Sequence, residues 1–353
     1  MKADFFSSRT AKILYPLGRI YALGVRMRQQ AMTRKALRLS RPVISVGNIS
    51  MGGTGKTPLC QFLGTWLADT GRKPVILTRG YKAGTNVFPH LVEPGDDPGV
   101  CGDEPLMLAR SLAARARVVV DPDRVRAASW ALSRLDPDVF ILDDGFQHVR
   151  VQRDADLVLL TPHDLAEGWN RVVPAGRWRE DELALARADL FMVNLWGCEL
   201  SRVKDLVDKR PLLQGKPVCY FDLSIKELKR LDQDQPVHGL DNRPYLLVTG
   251  VANPGKVVLS ISSFLGYGPR GHLPFADHHP FGAQSIKAIT AMAGQAGVRD
   301  VICTSKDAVK LGPVAGLNIW EARAGVRMVE GAEELEKRML LALAYLTDYQ
   351  PGN

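Results

Sequence analysis

No stretch of eighteen apolar residues occurs in the sequence, so no transmembrane helix is expected. It lacks any C-x-x-C pair. Its five cysteines, Cys60, Cys101, Cys198, Cys219 and Cys303, are scattered and odd in number, which argues for a reducing compartment and against a disulfide framework or zinc site. It lacks the N-K-x-D tetrapeptide by which guanine is read, and it has no internal repeat or low-complexity tract. Acidic residues are nearly missing from the first 41 positions, where Asp4 stands against ten lysines and arginines. The net charge of +8 therefore resides in this arm, and the remainder is close to neutral.

Within the arm, "PLGRIYALGVRMRQQAM" has helical patterning. Leu17, Tyr21 and Val25 share one face while Arg19 and Arg26 take the other. Pro16 suits a first turn better than a helix interior, so the helix is expected to begin near it. A basic helix with an apolar face fits an anionic membrane surface, and it equally fits packing on a domain with its arginines in water. Arg19 interrupts the apolar stretch and no A-x-A-like site follows, so no signal peptide is expected. No nucleic-acid-binding motif is present, and no obligate protein partner is implied.

From residue 42, apolar runs alternate with amphipathic segments: "PVISVGN", a helix from Lys56 to Asp69, "KPVILTRG", "EPLMLARSLAARA", "RVVV", "DRVRAASWALSRL", "PDVFILDDG", "DADLVLLTP" and "ADLFMVN". This order predicts an α/β fold, a parallel sheet with helices on both faces. A polar stretch follows, then a second alternation. The expected organisation is a basic arm over 1–41, a nucleotide-binding domain over 42–225, a linker over 226–243 and a smaller α/β domain over 244–315. A tail helix over 316–353 would return to the first domain.

The segment "NISMGGTGKTPL" joins an apolar strand to a helix, the setting in which a phosphate loop has meaning. Gly52, Gly53, Thr54 and Gly55 let backbone N–H groups face phosphate oxygens, and the helix N-terminus adds positive potential. Lys56 would serve the β- and γ-phosphates and the Thr57 hydroxyl would ligate Mg²⁺. Ser50 stands where the strict motif has its first glycine. "VFILDD" supplies acids at the end of an apolar strand, Asp143 or Asp144 holding the hydration shell of the metal. Without N-K-x-D, ATP is the expected nucleotide.

Other polar clusters admit two readings. Asp103 and Glu104 precede a helix, and Asp103 is either an N-cap or a carboxylate base. Asp277, His278 and His279 in "FADHHPF" fit a histidine that tunes a carboxylate better than a metal pair. In "VPAGRWRED", Arg179 would neutralise phosphate and Glu180 would support Mg²⁺, unless the cluster with Arg177 and Asp181 is only solvated.

Taken together, "SVGNISMGGTGKTP", "TRGYK", "GDEP", "LDDGFQH", "VPAGRWRE", "DHHPF" and "TSKDAVKL" resemble, in order and spacing, the tetraacyldisaccharide 4′-kinases of lipid A biosynthesis. The resemblance runs from the arm to about Leu311. It implies two α/β domains joined by a short β-ribbon, and ATP- and Mg²⁺-dependent phosphoryl transfer to the 4′-hydroxyl of a lipid disaccharide 1-phosphate. The place implied is the cytoplasmic face of the bacterial inner membrane. By motif, Asp103 becomes the catalytic carboxylate, paired with His278 or His279 and favouring His278. Asp143, Asp144, Gln147, Arg179 and Glu180 become active-site positions around metal and phosphate. The chain departs from the family at Ser305, often Glu, and at Asp181, commonly Pro. With the base and the histidine in different domains, the reaction implied requires domain closure. Two rival readings are a partition- or targeting-type switch ATPase, against which Met51 in place of a signature lysine counts, and a non-catalytic nucleotide-binding scaffold.

Overall fold

β1 (Val43–Asn48) is buried along its whole length, so both of its faces meet protein. That fits its mainly apolar character and puts it inside a sheet rather than at an edge. The computed structural model describes residues 9–344 apart from 82 and 114. The first eight residues of the basic arm, Lys82 of "TRGYK" and the tail beyond Ala344 lie outside the described residues.

In chain order, α1 (Arg9–Thr33) precedes β1, and α2 (Lys56–Asp69), β2 (Pro74–Thr78), β3 (His90–Val92), α3 (Pro98–Cys101) and α4 (Asp103–Leu112) follow it. Next come β4 (Arg117–Val120), α5 (Arg124–Arg134), β5 (Val139–Asp143), β6 (Ala155–Leu160), α6 (Pro162–Leu165), β7 (Leu190–Asn194) and α7 (Leu200–Asp208). β8 (Val218–Arg230) and β9 (Pro236–Val237) lead to β10 (Tyr245–Thr249), α8 (Pro254–Leu265), β11 (Gly271–Pro274) and α9 (Ala283–Ala296). The chain ends with β12 (Asp300–Thr304), α10 (Ser305–Leu311), β13 (Asn318–Glu330) and α11 (Ala332–Ala344).

The strands form one continuous mixed sheet in the order β11-β10-β12-β13-β8-β7-β6-β1-β5-β2-β4-β3, with β9 beside β8. β1 lies between β5 and β6, parallel to both, and Val46 is level with Asp143. The loop after β1 and the acids after β5 are thereby brought to the same sheet edge.

α2 forms because Leu59, Leu63 and Leu67 repeat every four residues and are all buried. Each such side chain contributes about 1.5–3 kcal/mol. The helix ends where Gly71 takes φ 80° and the Arg72 N–H reaches back to the Leu67 carbonyl.

Two differences from the sequence reading stand out. α1 runs through Pro16 instead of starting there. A proline donates no N–H and so frees the carbonyl four residues back, and Pro16 itself is exposed. Residues 318–330 of the supposed tail helix are a strand, whereas residues 226–230 of the linker belong to β8, in line with the implied β-ribbon. β8 and β13 pair antiparallel from Tyr220↔Glu330 to Arg230↔Trp320 and form the two-stranded ribbon that joins the two halves of the sheet. α11 then packs against β1, β6 and β8, burying Leu335, Met339 and Ala342 in the core that also holds Ile44 and Leu59.

Candidate active site

The loop after β1 is shaped by two left-handed glycines, Gly52 at φ 117° and Gly55 at φ 104°. A Cβ at Gly52 or Gly53 would meet nothing within 4 Å, so the loop's outer side is open. At Gly55 a Cβ would lie 3.1 Å from Asn194 Nδ2. Ser50 does not have a positive φ. It forms an antiparallel bridge with Trp178, flanked by Met51 N–H donating to the Arg177 carbonyl at 2.8 Å and Arg179 N–H donating to that of Ile49 at 2.8 Å. Extended backbone at position 50 has no need of glycine, which accounts for the departure from the strict motif. Asn194, at the end of β7, donates to the Thr54 carbonyl at 3.0 Å and braces the loop from beneath.

Lys56 Nζ lies 3.0 Å from Asn48 Oδ1 and 3.5 Å from Asp144 Oδ1. The two adjacent acids diverge. Asp143 continues β5 and is buried, its Oδ2 accepting from Thr78 Oγ1 at 2.9 Å. Burial, with Glu104 and Asp144 adding repulsion, raises its pKa. Asp144 turns out of the strand at φ 52° and receives both Arg179 nitrogens at 2.9 Å. Burial opposes its ionisation, but Lys56 and Arg179 override that and hold the carboxyl well below the usual range.

Glu180 is placed otherwise than a direct metal ligand would be. It is 3% exposed, and Arg187 takes both carboxylate oxygens, at 2.9 and 3.0 Å. Gln147 Nε2 bridges Glu180 Oε1 and the Asn48 carbonyl, 3.1 Å from each. Both residues thus brace the loop and Arg179, which also donates to the Asn48 carbonyl at 2.8 Å. The acid that faces Thr57 is Glu104, its Oε2 3.4 Å from Thr57 Oγ1. Among the described residues no group of three or more His, Cys, Asp or Glu side chains is arranged to hold a metal. The hard oxygens of Thr57 and Glu104 suit Mg²⁺, which keeps several waters and takes only one or two protein carboxylates alongside phosphate oxygens.

Asp103 opens α4 one residue before Glu104. His278 Nδ1 lies 3.1 Å from Asp103 Oδ2, although the two are 175 positions apart. His278 has a left-handed backbone, φ 62°, which points its ring toward α4. His279 faces the other way. Its Nε2 is 2.7 Å from Ser285 Oγ, and its ring stacks on Phe275 at 4.5 Å. The contact that domain closure was expected to create is already made in this conformation. Two lysines of α10 complete the cluster: Lys310 Nζ is 2.9 Å from Asp103 Oδ2, and Lys306 Nζ is 3.0 Å from His278 Nε2.

Asn48, Asn194, Lys306 and Lys310 did not emerge as site residues from the sequence. Asn48 and Asn194 end apolar strands that lead to one sheet edge, and the lysines are four apart on a short helix. Those signals acquire meaning only once the strand order is known.

A strand–loop–helix phosphate site at the carboxyl edge of a mostly parallel sheet, faced by a carboxylate–histidine pair, defines a P-loop kinase of the α/β class. The family described as Tetraacyldisaccharide-1-P 4′-kinase matches residues 10–344, and the chain belongs to that family. It is 42% identical over 323 residues to the tetraacyldisaccharide 4′-kinase of Nitratidesulfovibrio vulgaris, covering 91% of this chain and 90% of the relative. To that of Oleidesulfovibrio alaskensis it is 44% identical over 321 residues, 88% and 87% of the two chains. A crystal structure of Aquifex aeolicus LpxK in complex with ATP superposes with a TM-score of 0.77 at 28% identity, covering 95% of this chain and 99% of that one.

Proposed function

We propose that this protein transfers the γ-phosphoryl group of ATP to the 4′-hydroxyl of tetraacyldisaccharide 1-phosphate, a step of lipid A biosynthesis. Family membership supports the reaction, and the ATP held by the Aquifex relative supports the donor. The observation that carries the chemistry is the Asp103–His278 pair next to the phosphate loop, linked to it through Glu104 and Thr57.

The loop N–H groups and Lys56 bind the phosphates, and Arg179 holds Asp144 beside that lysine. The hydroxyl oxygen bonds to the γ-phosphorus as the bond from that phosphorus to the β,γ-bridging oxygen breaks, and ADP leaves. The hydroxyl proton passes to Asp103, which His278 orients. Mg²⁺, with Thr57 and Glu104 as its protein donors, would neutralise charge on the β- and γ-phosphate oxygens. Asp143 and Asp144 would serve the ion through its water shell.

The acceptor is a lipid, and α1 supports work at a membrane surface. Gly18 and Ala22 face the protein, and Arg26 pairs with Asp181. Ile13, Tyr15, Leu17, Ile20, Tyr21, Leu23 and Met27 are exposed, with Arg19 and Arg28 among them. Among the described residues no helix is long and apolar enough to cross a membrane. An exposed apolar helix with basic residues suits the surface of an anionic leaflet, here the cytoplasmic face of the inner membrane.

The test is transfer of label from γ-labelled ATP to tetraacyldisaccharide 1-phosphate in micelles, with wild type, Lys56→Ala and Asp103→Ala in parallel. Wild type labels the lipid, and each variant loses about a hundredfold or more in turnover. ATP hydrolysis without lipid label would return the switch ATPase, which family membership disfavours.

A further inference from the structure

We infer that Lys306 is a positioning residue that fixes His278 as the neutral Nδ1–H tautomer, while Lys310 and His278 together occupy Asp103 Oδ2 and leave Oδ1 to take the proton. This rests on the kinase reading for its consequence, but the tautomer stands or falls on its own.

A lysine ammonium has three donors and no acceptor. Lys306 Nζ lies 3.0 Å from His278 Nε2, so that ring nitrogen must accept. The same ammonium lies 3.1 Å from Asp277 Oδ1 and 3.8 Å from Glu104 Oε1, which fixes it in place at 17% side-chain exposure. With Nε2 accepting, the ring proton sits on Nδ1, 3.1 Å from Asp103 Oδ2. An imidazolium would turn a second donor toward Lys306.

Lys310 approaches from the other side. Its Nζ is 2.9 Å from the same Oδ2 and only 8% of its side chain is exposed. The approach is an ion pair without hydrogen-bond alignment, so it contributes charge more than direction. Both partners of Asp103 thus meet one oxygen. The other is the one available to a hydroxyl, and the hydrogen bond from His278 sets the carboxylate's rotation. α10 therefore acts on the base through two residues one helical turn apart, although it lies some 200 positions further along the chain.

The experiment uses the full-length protein labelled with ¹⁵N-histidine, His278→Gln serving only to assign the signal. In wild type, Nδ1 of residue 278 is expected at the shift of a protonated ring nitrogen and Nε2 at that of a bare one. Lys306→Arg, which also only donates, retains that pattern, whereas Lys306→Met gives a mixture of tautomers. In the labelled-ATP assay Lys306→Met lowers kcat roughly ten- to a hundredfold with KM for ATP nearly unchanged, and Lys306→Arg recovers most of the loss. An Nε2–H tautomer or an imidazolium in wild type overturns the inference, as does equal kcat in Lys306→Met and wild type. A Lys306→Met protein that does not fold, judged by circular dichroism, leaves the wild-type spectrum and Lys306→Arg to decide it. If wild type shows the expected tautomer but labels no lipid, the kinase reading fails and the tautomer assignment does not.

Discussion

Asp144 and Arg179 meet head-on, each carboxylate oxygen 2.9 Å from a guanidinium nitrogen, with Lys56 3.5 Å away on the same acid. Burial works against the charge, and the two cations outweigh it. A carboxyl depressed in the folded state contributes stability that is present above its unfolded pKa, about 3.9, and is lost as pH falls through the lower folded value. In a carbon-13 titration Asp144 is expected to remain ionised through the range where ordinary aspartates protonate. Arg179→Ala should bring its midpoint back toward that range. The side chain is 40% exposed, so solvent screening keeps the change in melting temperature small. An ordinary midpoint in wild type would contradict the account.

Asp143 has the opposite sign. Burial raises its pKa, with Glu104 and Asp144 adding to it, so its charge costs stability. The cost is absent below the unfolded pKa and grows as pH rises through the raised folded value. Asp143→Asn retains a partner for Thr78 and removes the charge. Calorimetry should find it at least as stable as wild type near neutral pH, with its advantage shrinking in mild acid. A lower melting temperature at neutral pH would mean that the attraction of Lys56 outweighs the burial of Asp143.

Gly47 and Gly53 should separate packing from phosphate approach. A Cβ at Gly47 would lie 2.4 Å from the Phe146 nitrogen and 2.5 Å from its Cβ, so Gly47→Ala forces β1 and the turn after β5 apart. The cost is about 1–3 kcal/mol, and the melting temperature should drop by several degrees. Gly53→Ala meets nothing within 4 Å and should melt like wild type. Its methyl group intrudes on the loop's open side, so KM for ATP should rise several-fold. Similar melting temperatures and similar KM values for the two variants would show that the glycines are not divided in this way.

The basic face of α1 should govern membrane attachment. Arg19 and Arg28 are exposed, whereas Arg26 is tied to Asp181. Each free arginine contributes about 1 kcal/mol at an anionic surface. Arg19→Glu with Arg28→Glu should therefore weaken binding to anionic vesicles by tenfold or more and flatten its salt dependence, with turnover on a micellar substrate little changed. Vesicle binding equal to wild type would leave only the apolar face as the anchor.

Much of the fold was legible along the chain. β1, β5, β6, β7 and β10 are short apolar runs because parallel strands buried on both faces have no solvent side to mark. α2 and α5 carry their periodicity and stop signals locally. β13 and the end of β8 are hard to read locally for a physical reason: both mix buried and half-exposed residues without a clean alternation, and their long pairing joins positions about a hundred apart. Seen alone, the first half of such a pair reads as a polar linker and the second as part of a tail.

The site divides along the same line. The glycines, Lys56 and Thr57, and the acids after β5 are set by contiguous sequence, because a phosphate loop is built from one strand, one turn and one helix. Which acid turns outward, which histidine meets Asp103, and that Glu180 binds Arg187 depend on side chains from distant segments meeting in space. His278 and His279 are chemically identical neighbours, and only a left-handed backbone at one and a stack of phenylalanines around the other tells them apart. The amino-acid sequence by itself determined the strand–loop–helix phosphate site and the sheet around it, since those follow from local periodicity and backbone freedom. Tertiary structure alone decided the cluster around Asp103, because the contacts among Asp103, His278, Lys306 and Lys310 exist only where α4 and α10 are packed together.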